Sequence, residues 1–289
     1  MFHLIANTSH IKPKDINTVL SVFEFAGKEC ALHPTFHKGH AKQLAEELSS
    51  TDKECSLVVM GGDGTLHEVL NGIKDFEHCC LGLIPAGTGN DFAAAAKIPN
   101  DIKYAAQVIA YKQPRPIDYI QLADGLRSIN AVGMGIDVDV LKRTYKKNTG
   151  KKITYLTSLI YCLSHFKSYN YAVEFDGGEE KHYGLIAALG NGKQIGGGIK
   201  LFPDAVLDDG YMDLLMVDYL SGFKTVMAFL KLMTGRINKI KEVTAVKVKK
   251  ARFTVEVPCS IQAEGEIYDR IEIDAHIVEK GLKFYLPEV

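Results

Sequence analysis

The stretch VVMGGDGTLHEVLNG, residues 58–72, places Gly61, Gly62 and Gly64 around one acid, Asp63. A glycine turn between an apolar strand and a helix exposes backbone N–H groups at the positive end of a helix dipole, which attracts phosphate. An acid beside bound phosphate is useful with Mg2+ or as the acceptor of a nucleophile's proton. Thr65 can add a hydroxyl. Taken alone, the turn also reads as a tight corner whose Asp caps the helix. The design recurs in PAGTGNDFA, residues 85–93, where Gly87, Thr88 and Gly89 precede Asn90 and Asp91. An Asx-type helix start would explain the second turn by itself. Two glycine-plus-acid turns at the carboxyl ends of strands in one α/β domain should instead face one crevice. Neither the P-loop pattern nor G-x-G-x-x-G occurs in the chain.

Two further groups of residues have the chemistry of sites. His33, His37 and His40 could ligate a metal, but Pro34 interrupts any helix through them and no cysteine or acid completes a set. A solvated loop, with His40 opening a helix, is the better reading. The vicinal Cys79 and Cys80 begin an apolar strand and read as core. None of the six cysteines forms a C-x-x-C pair.

The elements that must position these turns alternate over the first 120 or so residues. FHLIAN, CSLVVM and CCLGLIPAG read as strands. Asp15 to Ala26, His40 to Leu48, Leu66 to Gly72 and Asp101 to Tyr111 carry helical spacing. That alternation predicts a parallel sheet covered on both faces. After PRPIDYIQL the strands crowd together, separated by turns such as Asp176-Gly177-Gly178 and Asp209-Gly210. This predicts an all-β sandwich with helical inserts near 138–167 and 221–235. The expected domains are 1–122, nucleotide-binding, and 123–289, lipid-substrate, with the C-terminal end a candidate to return to the first.

The chain has 289 residues, 46% hydrophobic and 24% charged, with a net charge of -1 and pI near 6.8. No global basic field favours nucleic acid. The N-terminus lacks the pattern of a signal peptide, and no apolar run of about 18 residues predicts a membrane span. A reduced cytoplasmic setting is expected.

Together, GGDGTLHEVLNG and PAGTGNDFA resemble the soluble bacterial diacylglycerol kinase family, whose catalytic domain is shared with sphingosine and ceramide kinases. Later motifs follow in the family's order: RPIDYI, NAVGMGIDVDV, GNGKQIGGGIKLFPDAVLDDGYMDLL and IQAEGE. The resemblance implies an N-terminal α/β domain like those of NAD kinase and phosphofructokinase, followed by a β-sandwich. It implies transfer of the ATP γ-phosphoryl group to a lipid hydroxyl in a cleft between domains. Gly62, Asp63, Gly64, Thr65, Leu66, His67 and Glu68 fall where the family contacts nucleotide. So do Gly87, Thr88, Gly89, Asn90 and Asp91, and Asn7 and Thr35 join them. Glu266 matches the general base, with Asp63 as a second catalytic acid. Asp209, with the backbone carbonyls of Val206 and Tyr211, matches a Mg2+ site linked to Asp118.

The sequence departs from the family in three places. NTSHIKPKD replaces the usual Asn-Pro and Ser-Gly, which leaves contacts from Thr8 and Ser9 open. AEGE puts Glu264 where an Asp is usual, and His67 stands where Asn is common.

Lys142, Arg143, Lys146, Lys147, Lys151 and Lys152 precede an apolar stripe at Ile153, Leu156, Leu159, Ile160, Leu163 and Phe166. That pattern suits an anionic membrane surface, and FKTVMAFLKLMTGRINKIKEV offers a second such face. Both stripes could instead pack on the sandwich. The leading expectation is a peripheral, ATP- and Mg2+-dependent lipid kinase. The acceptor stays open among diacylglycerol, a sphingoid base, phosphatidylglycerol and a polyprenol. An exposed sandwich edge could pair two copies into a homodimer. The alternatives are an NAD-kinase-like enzyme and a non-catalytic lipid- or nucleotide-binding regulator. GTGNDFA argues against the first, and the retained acids Asp63, Asp91, Asp209 and Glu266 against the second.

Overall fold

The computed structural model describes residues 1–8, 10–50, 54–146, 152–165, 168–221, 223–255, 260–269 and 272–288. Ser9, Lys147, Lys151 and Phe166, named above as candidates, lie outside the described residues. The chain divides into two compact units, Met1–Asp118 with Lys280–Val289, and Tyr119–Glu279.

In the first unit, strand and helix alternate as β1 (Phe2–Ala6), α1 (Pro13–Phe25), β2 (Cys30–Pro34), α2 (His40–Leu48), β3 (Cys55–Gly61), α3 (Asp63–Gly72) and β4 (Cys79–Pro85). Then come α4 (Asp91–Ala95), α5 (Ile102–Tyr111) and β5 (Arg115–Leu122). Strands β2, β1, β3 and β4 lie side by side, all parallel. The C-terminal Lys283 and Phe284 add a further parallel pairing against Cys80 and Leu81. In β3, Leu57, Val58, Val59 and Met60 are all fully buried, although successive side chains point to opposite faces. Both faces are therefore covered, which is why the run is unbroken apolar rather than alternating. Val19 and Phe23 of α1, Leu66 and Leu70 of α3, and Ile109 of α5 are among the buried residues of the covering helices.

The second unit contains β6 (Arg127–Ser128), β7 (Ala131–Gly135), α6 (Ile136–Lys146), α7 (Lys152–His165), β8 (Tyr169–Phe175), β9 (Gly178–Gly190), β10 (Met212–Asp218) and α8 (Phe223–Met233). It continues with β11 (Val243–Val248), β12 (Lys250–Val255), β13 (Ile261–Ala263), β14 (Glu266–Tyr268) and β15 (Glu272–Phe284). The pairings β10–β11, β9–β10, β8–β9, β7–β9 and β13–β7 are all antiparallel. Period-2 alternation divides the core. Met212, Leu214 and Met216 of β10 join one cluster with Val173, Phe253 and Ile273. Leu215 and Val217 join another with Tyr155, Leu159 and Cys162 of α7 and Ala228 of α8.

Two expectations shift. Helix α3 begins at Asp63, three residues ahead of the expected Leu66, because extended Gly62 (φ -103°, ψ -170°) serves as its N-cap. The sequence also suggests a separate last strand at LKFYL, residues 282–286, but residues 282–284 instead complete β15, which starts at Glu272.

Close packing and one buried base give this fold two tests. A Cβ at Gly72 would meet the Lys42 carbonyl and lie 2.7 Å from the Ala45 Cβ, so α2 and α3 cross there without room for a methyl. Overpacking of this kind costs about 1–3 kcal/mol. Gly72→Ala is expected to lower the urea midpoint. Gly64→Ala, where a Cβ meets nothing within 4 Å, is expected to leave it unchanged or raise it.

His67 is only 4% exposed. Burial pushes its imidazole down to about 4, and the charges of Lys38 and Lys42 add to the effect. The unfolded chain takes up that proton near pH 6.5 while the folded chain stays neutral. The contribution is complete above about pH 6.5 and is lost as pH falls toward 4, by about 3 kcal/mol. His67→Asn is expected to flatten this acid limb in denaturation curves taken at pH 7, 5.5 and 4.5. An unaltered limb would remove His67 as its source.

Candidate active site

Gly61 at the end of β3 pairs with Pro85 at the end of β4, so the two glycine turns leave the sheet as neighbours. They touch through bare backbone. A Cβ on Gly62 would lie 2.9 Å from the Gly87 Cα, and one on Gly87 would collide with the Gly62 Cα. The Ala86 N–H donates to the Gly61 carbonyl at 2.8 Å. A Cβ on Gly61 would lie 2.8 Å from the Cβ and Oγ1 of Thr65. These contacts explain the glycines at 61, 62 and 87 by close approach.

Asp63 joins the two turns. Its Oδ2 accepts the Asp91 N–H at 3.1 Å and its Oδ1 accepts the Phe92 N–H at 3.2 Å. The acid of the first turn thus caps α4, the helix that follows the second. Asn90 sits in the left-handed region at φ 54°, accepts the Gly87 N–H at 3.0 Å and returns an N–H to the Gly87 carbonyl at 3.0 Å. Asp91 itself is buried. Gly64, Gly87 and Thr88 are exposed, with Gly62, Thr65 and Gly89 half-buried. Of the expected nucleotide contacts, Leu66 and His67 are buried at 1% and 4% and belong to the core.

Two more loops end on the same carboxyl edge. Asn7 follows β1, and its carbonyl accepts the N–H groups of His10 and Ile11. Thr35, buried, follows β2 and donates its N–H to the Ala6 carbonyl at 2.8 Å. The Gly39 N–H donates to Glu68 Oε1 at 2.9 Å, tying the loop after β2 to α3. The three histidines do not gather: His33 faces His3 with ring nitrogens 3.0 Å apart, while His37 stacks on His40 at 4.9 Å. Among the described residues no group of three or more His, Cys, Asp or Glu is placed to hold a metal. Cys79 is core, with its Sγ 3.5 Å from that of Cys55. Asp118 is fully buried and accepts the Lys280 N–H at 2.7 Å.

In the second unit, Glu266 opens β14, directly across from Ala263 of β13. The two-residue turn between them, Glu264 and Gly265, has positive φ at both positions, 53° and 80°. That is the turn geometry that matches strand twist, and it is unusual for a glutamate. Its carboxylate compensates: Glu264 Oε1 accepts from Ser128 Oγ, from the Asn130 N–H at 2.6 Å and from the Ala131 N–H at 3.2 Å. The longer acid in AEGE therefore fixes the hairpin that holds Glu266. Tyr145, whose hydroxyl donates to the Gly265 carbonyl, is pushed up to about 12 by burial and by the charge of Glu266.

Asp209 accepts the Tyr211 N–H at 3.1 Å and pairs with Lys247 at 2.7 Å. Lys247 stands across the strand from Asp213 and pairs with it at 3.2 Å. Asp209 with the carbonyls of exposed Val206 and Tyr211 is an all-oxygen donor set, which suits a hard divalent cation. A cation held there would have to share the Asp209 carboxylate with the Lys247 ammonium.

The stretch NAVGMGIDVDV also carries an acid, Asp137, that its motif does not mark as a site residue. Asp137 is 3% exposed, its Oδ1 accepts the Val138 N–H at 2.9 Å, and its Oδ2 has no hydrogen-bond partner among the described residues. Burial pushes the carboxyl up to about 7. Beside it lies an apolar cavity of about 70 Å3 lined by residues that include Tyr155, Leu159, Leu185, Ile199, Phe229 and Leu232. The available signal was an acid set among apolar residues, two positions ahead of Asp139.

The stripe expected to face a membrane on α7 turns inward at Leu159, with Leu163 packed against the same cluster. Ile160 remains 51% exposed. Helix α8 displays the wider apolar face, with Phe223 at 76%, Val226 at 55% and Leu230 at 53%. No described helix is long and apolar enough to cross a membrane.

The comparisons with known proteins bear on the family and the fold. Residues 2–122 match the diacylglycerol kinase catalytic domain, and residues 130–285 match the YegS C-terminal NAD kinase beta sandwich-like domain. A diacylglycerol kinase of Bacillus subtilis (strain 168) is 29% identical over 88% of this chain and 84% of its own. A diacylglycerol kinase of Staphylococcus aureus (strain JH9) is 29% identical over 95% of this chain and 87% of its own. A diacylglycerol kinase crystal structure from Bacillus anthracis str. Sterne superposes with a TM-score of 0.76 at 20% identity, covering 99% of this chain and 96% of that one. An NAD kinase from Archaeoglobus fulgidus, solved in complex with ATP, shares the fold at a TM-score of 0.55 and 13% identity, over 100% and 94% of the two chains. Two glycine turns clamped by an acid at the edge of a parallel sheet, followed by a matching β-sandwich, place this chain in the lipid kinase family built on the diacylglycerol kinase catalytic domain.

Proposed function

We propose that the chain transfers the γ-phosphoryl group of ATP to the hydroxyl of a membrane lipid, with diacylglycerol as the leading acceptor and Mg2+ as the metal. The observation that carries this reading is the pair of glycine turns clamped by Asp63. Gly64, Gly87 and Thr88 are exposed where phosphate oxygens would lie, and a Cβ on Gly64 would meet nothing within 4 Å. Asn7, Thr35, Thr65 and Glu68 line the same edge of the first unit. Leu66 and His67 support that edge from within the core.

Phosphoryl transfer depends on positioning and charge neutralisation more than on covalent help from the protein. Both oxygens of Asp63 already accept backbone N–H groups. In this reading it positions the cradle, and the proton of the acceptor hydroxyl goes to Glu266. The hairpin fixed by Glu264 keeps that glutamate in register. Asp209 with the carbonyls of Val206 and Tyr211 would hold a structural Mg2+. When Mg2+ is bound to ATP it neutralises phosphate charge.

Incubation with γ-labelled ATP, Mg2+ and a panel of hydroxyl lipids in mixed micelles is expected to label one lipid, and chelation of Mg2+ to stop it. Glu266→Gln is expected to lower kcat by about 10²–10⁴-fold. Asp63→Ala is expected to lose turnover and also some stability, because it uncaps α4. Labelling of NAD and of no lipid would replace this reading with a dinucleotide kinase. Undiminished kcat in Glu266→Gln would remove Glu266 from its role.

An enzyme of this kind must reach a bilayer-held substrate. We place that contact on α8, whose exposed Phe223, Val226 and Leu230 fall on one helical face. Replacing Phe223 and Leu230 with Ser is expected to weaken co-sedimentation with phosphatidylglycerol-containing vesicles about tenfold or more, given roughly 1.5–3 kcal/mol for each large apolar side chain. Unchanged sedimentation would move the contact elsewhere.

A further inference from the structure

The aromatic turn after β2 has no part in the reading above. Phe36 is 72% exposed, although the residue before it, Thr35, is 5% exposed. The Phe36 ring is not a loose surface side chain. It stacks on His40 with centroids 5.6 Å apart and planes 28° apart, and His40 in turn stacks on His37 at 4.9 Å and 15°. The Phe36 N–H donates to His40 Nδ1 at 3.3 Å, which fixes the middle ring against the backbone of the outer one. Gly39, in the left-handed region at φ 85°, closes the turn, and Glu68 Oε1 holds the Gly39 N–H at 2.9 Å. Glu68 belongs to α3, the helix that grows out of the first phosphate turn. The turn is thus tied to the phosphate cradle through one carboxylate.

Position within the sheet says what such a ring could meet. The order β2, β1, β3, β4 sets the loops along the carboxyl edge in the same sequence: aromatic turn, Asn7, first glycine turn, second glycine turn. Neighbouring strands lie about 4.8 Å apart, so β2 is displaced from β3 by about 10 Å along the edge. A nucleoside triphosphate anchored by its phosphates at the glycine turns extends from them by its ribose and base. Run along the edge past Asn7, it brings its base to the aromatic turn. Every base offers a flat π-face, and an exposed aromatic ring is the surface that holds one without regard to hydrogen-bond pattern.

We propose that Phe36, backed by His40 and His37, is the stacking platform for the purine base of the phosphoryl donor. The inference deepens the nucleotide reading above and rests on it. The chemistry assigned to Phe36 is apolar contact with a ring face, so it acts on donor affinity and not on the phosphate cradle. Pre-stacked imidazoles behind the ring reduce the entropy lost when it becomes ordered against a ligand.

The test compares Mg2+-ATP with Mg2+-tripolyphosphate, which carries the phosphates and no base, by titration calorimetry on the full chain. Phe36→Ala is expected to weaken ATP binding about 5- to 100-fold, the range for losing one base–aromatic stack. Tripolyphosphate binding should stay unchanged, and Phe36→Trp should restore ATP affinity. Equal ATP affinity in Phe36→Ala and the parent chain would overturn the platform while leaving the phosphate cradle standing. Equal weakening of ATP and tripolyphosphate would overturn it as well, because Phe36 would then shape the cradle itself. A parent chain that bound neither compound would overturn the nucleotide reading, a different failure from either of these.

Discussion

The two hydrogen bonds from the N–H groups of Asp91 and Phe92 to the carboxylate of Asp63 are the constraint on which the first unit's site depends. Each glycine turn alone is a common strand-to-helix corner. Joined by one acid, they become a single surface whose exposed backbone has a fixed spacing. An acid suits this joint because the first N–H groups of a helix have no acceptor within the helix, and a charged acceptor bonds them more strongly than a neutral one. The bare contact between Gly62 and Gly87 is the second requirement. A side chain at either position would push the turns apart and lengthen the bonds that Asp63 makes.

The second unit solves a similar problem by the opposite route. Its key hairpin carries a glutamate in a backbone conformation that favours glycine or asparagine. The cost is offset locally, because Glu264 reaches back to the Ser128 hydroxyl and two N–H groups at the start of β7. In one unit glycine makes the geometry possible and an acid locks it. In the other an acid does both.

Much of this was legible in the sequence where a local rule had no competitor. The alternation of strand and helix implied a parallel sheet covered on both faces, and the two glycine turns were placed at the carboxyl ends of its strands. The start of α3 was misplaced because Gly62 was read as loop, whereas an extended glycine serves as N-cap and lets Asp63 begin the helix. In the stripe on α7, Leu159 is buried and Leu163 packs against the same cluster, while Ile160 stays exposed. Periodicity reports that a helix has an apolar side, and tertiary packing decides what covers it. Here the strand residues Leu215 and Val217 cover α7, while α8 keeps apolar residues in solvent. Asp137 was missed for a related reason: an acid in the first turn of a helix looks like ordinary capping, and only burial shows that it carries an unpartnered oxygen.

Each unit also buries one ionisable group that is neutral over part of the physiological range, and the two groups act in opposite directions. His67 is held down to about 4 by burial, so the first unit loses stability as pH falls below about 6.5. Asp137 is pushed up to about 7, well above its unfolded value near 3.9. Its contribution is complete below about pH 4 and is lost as pH rises through 7, because the folded state then holds a buried charge. A fall in pH from about 6.5 toward 4 therefore works against the unit with the glycine cradle, and a rise from about 4 to 7 against the unit with the apolar cavity. A buried acid that favours its protonated form is costly in a purely structural core, where an apolar residue of the same size would serve. At Asp137 part of that cost is offset locally, because its Oδ1 accepts the Val138 N–H at 2.9 Å and Gln262 hydrogen-bonds the same carboxyl.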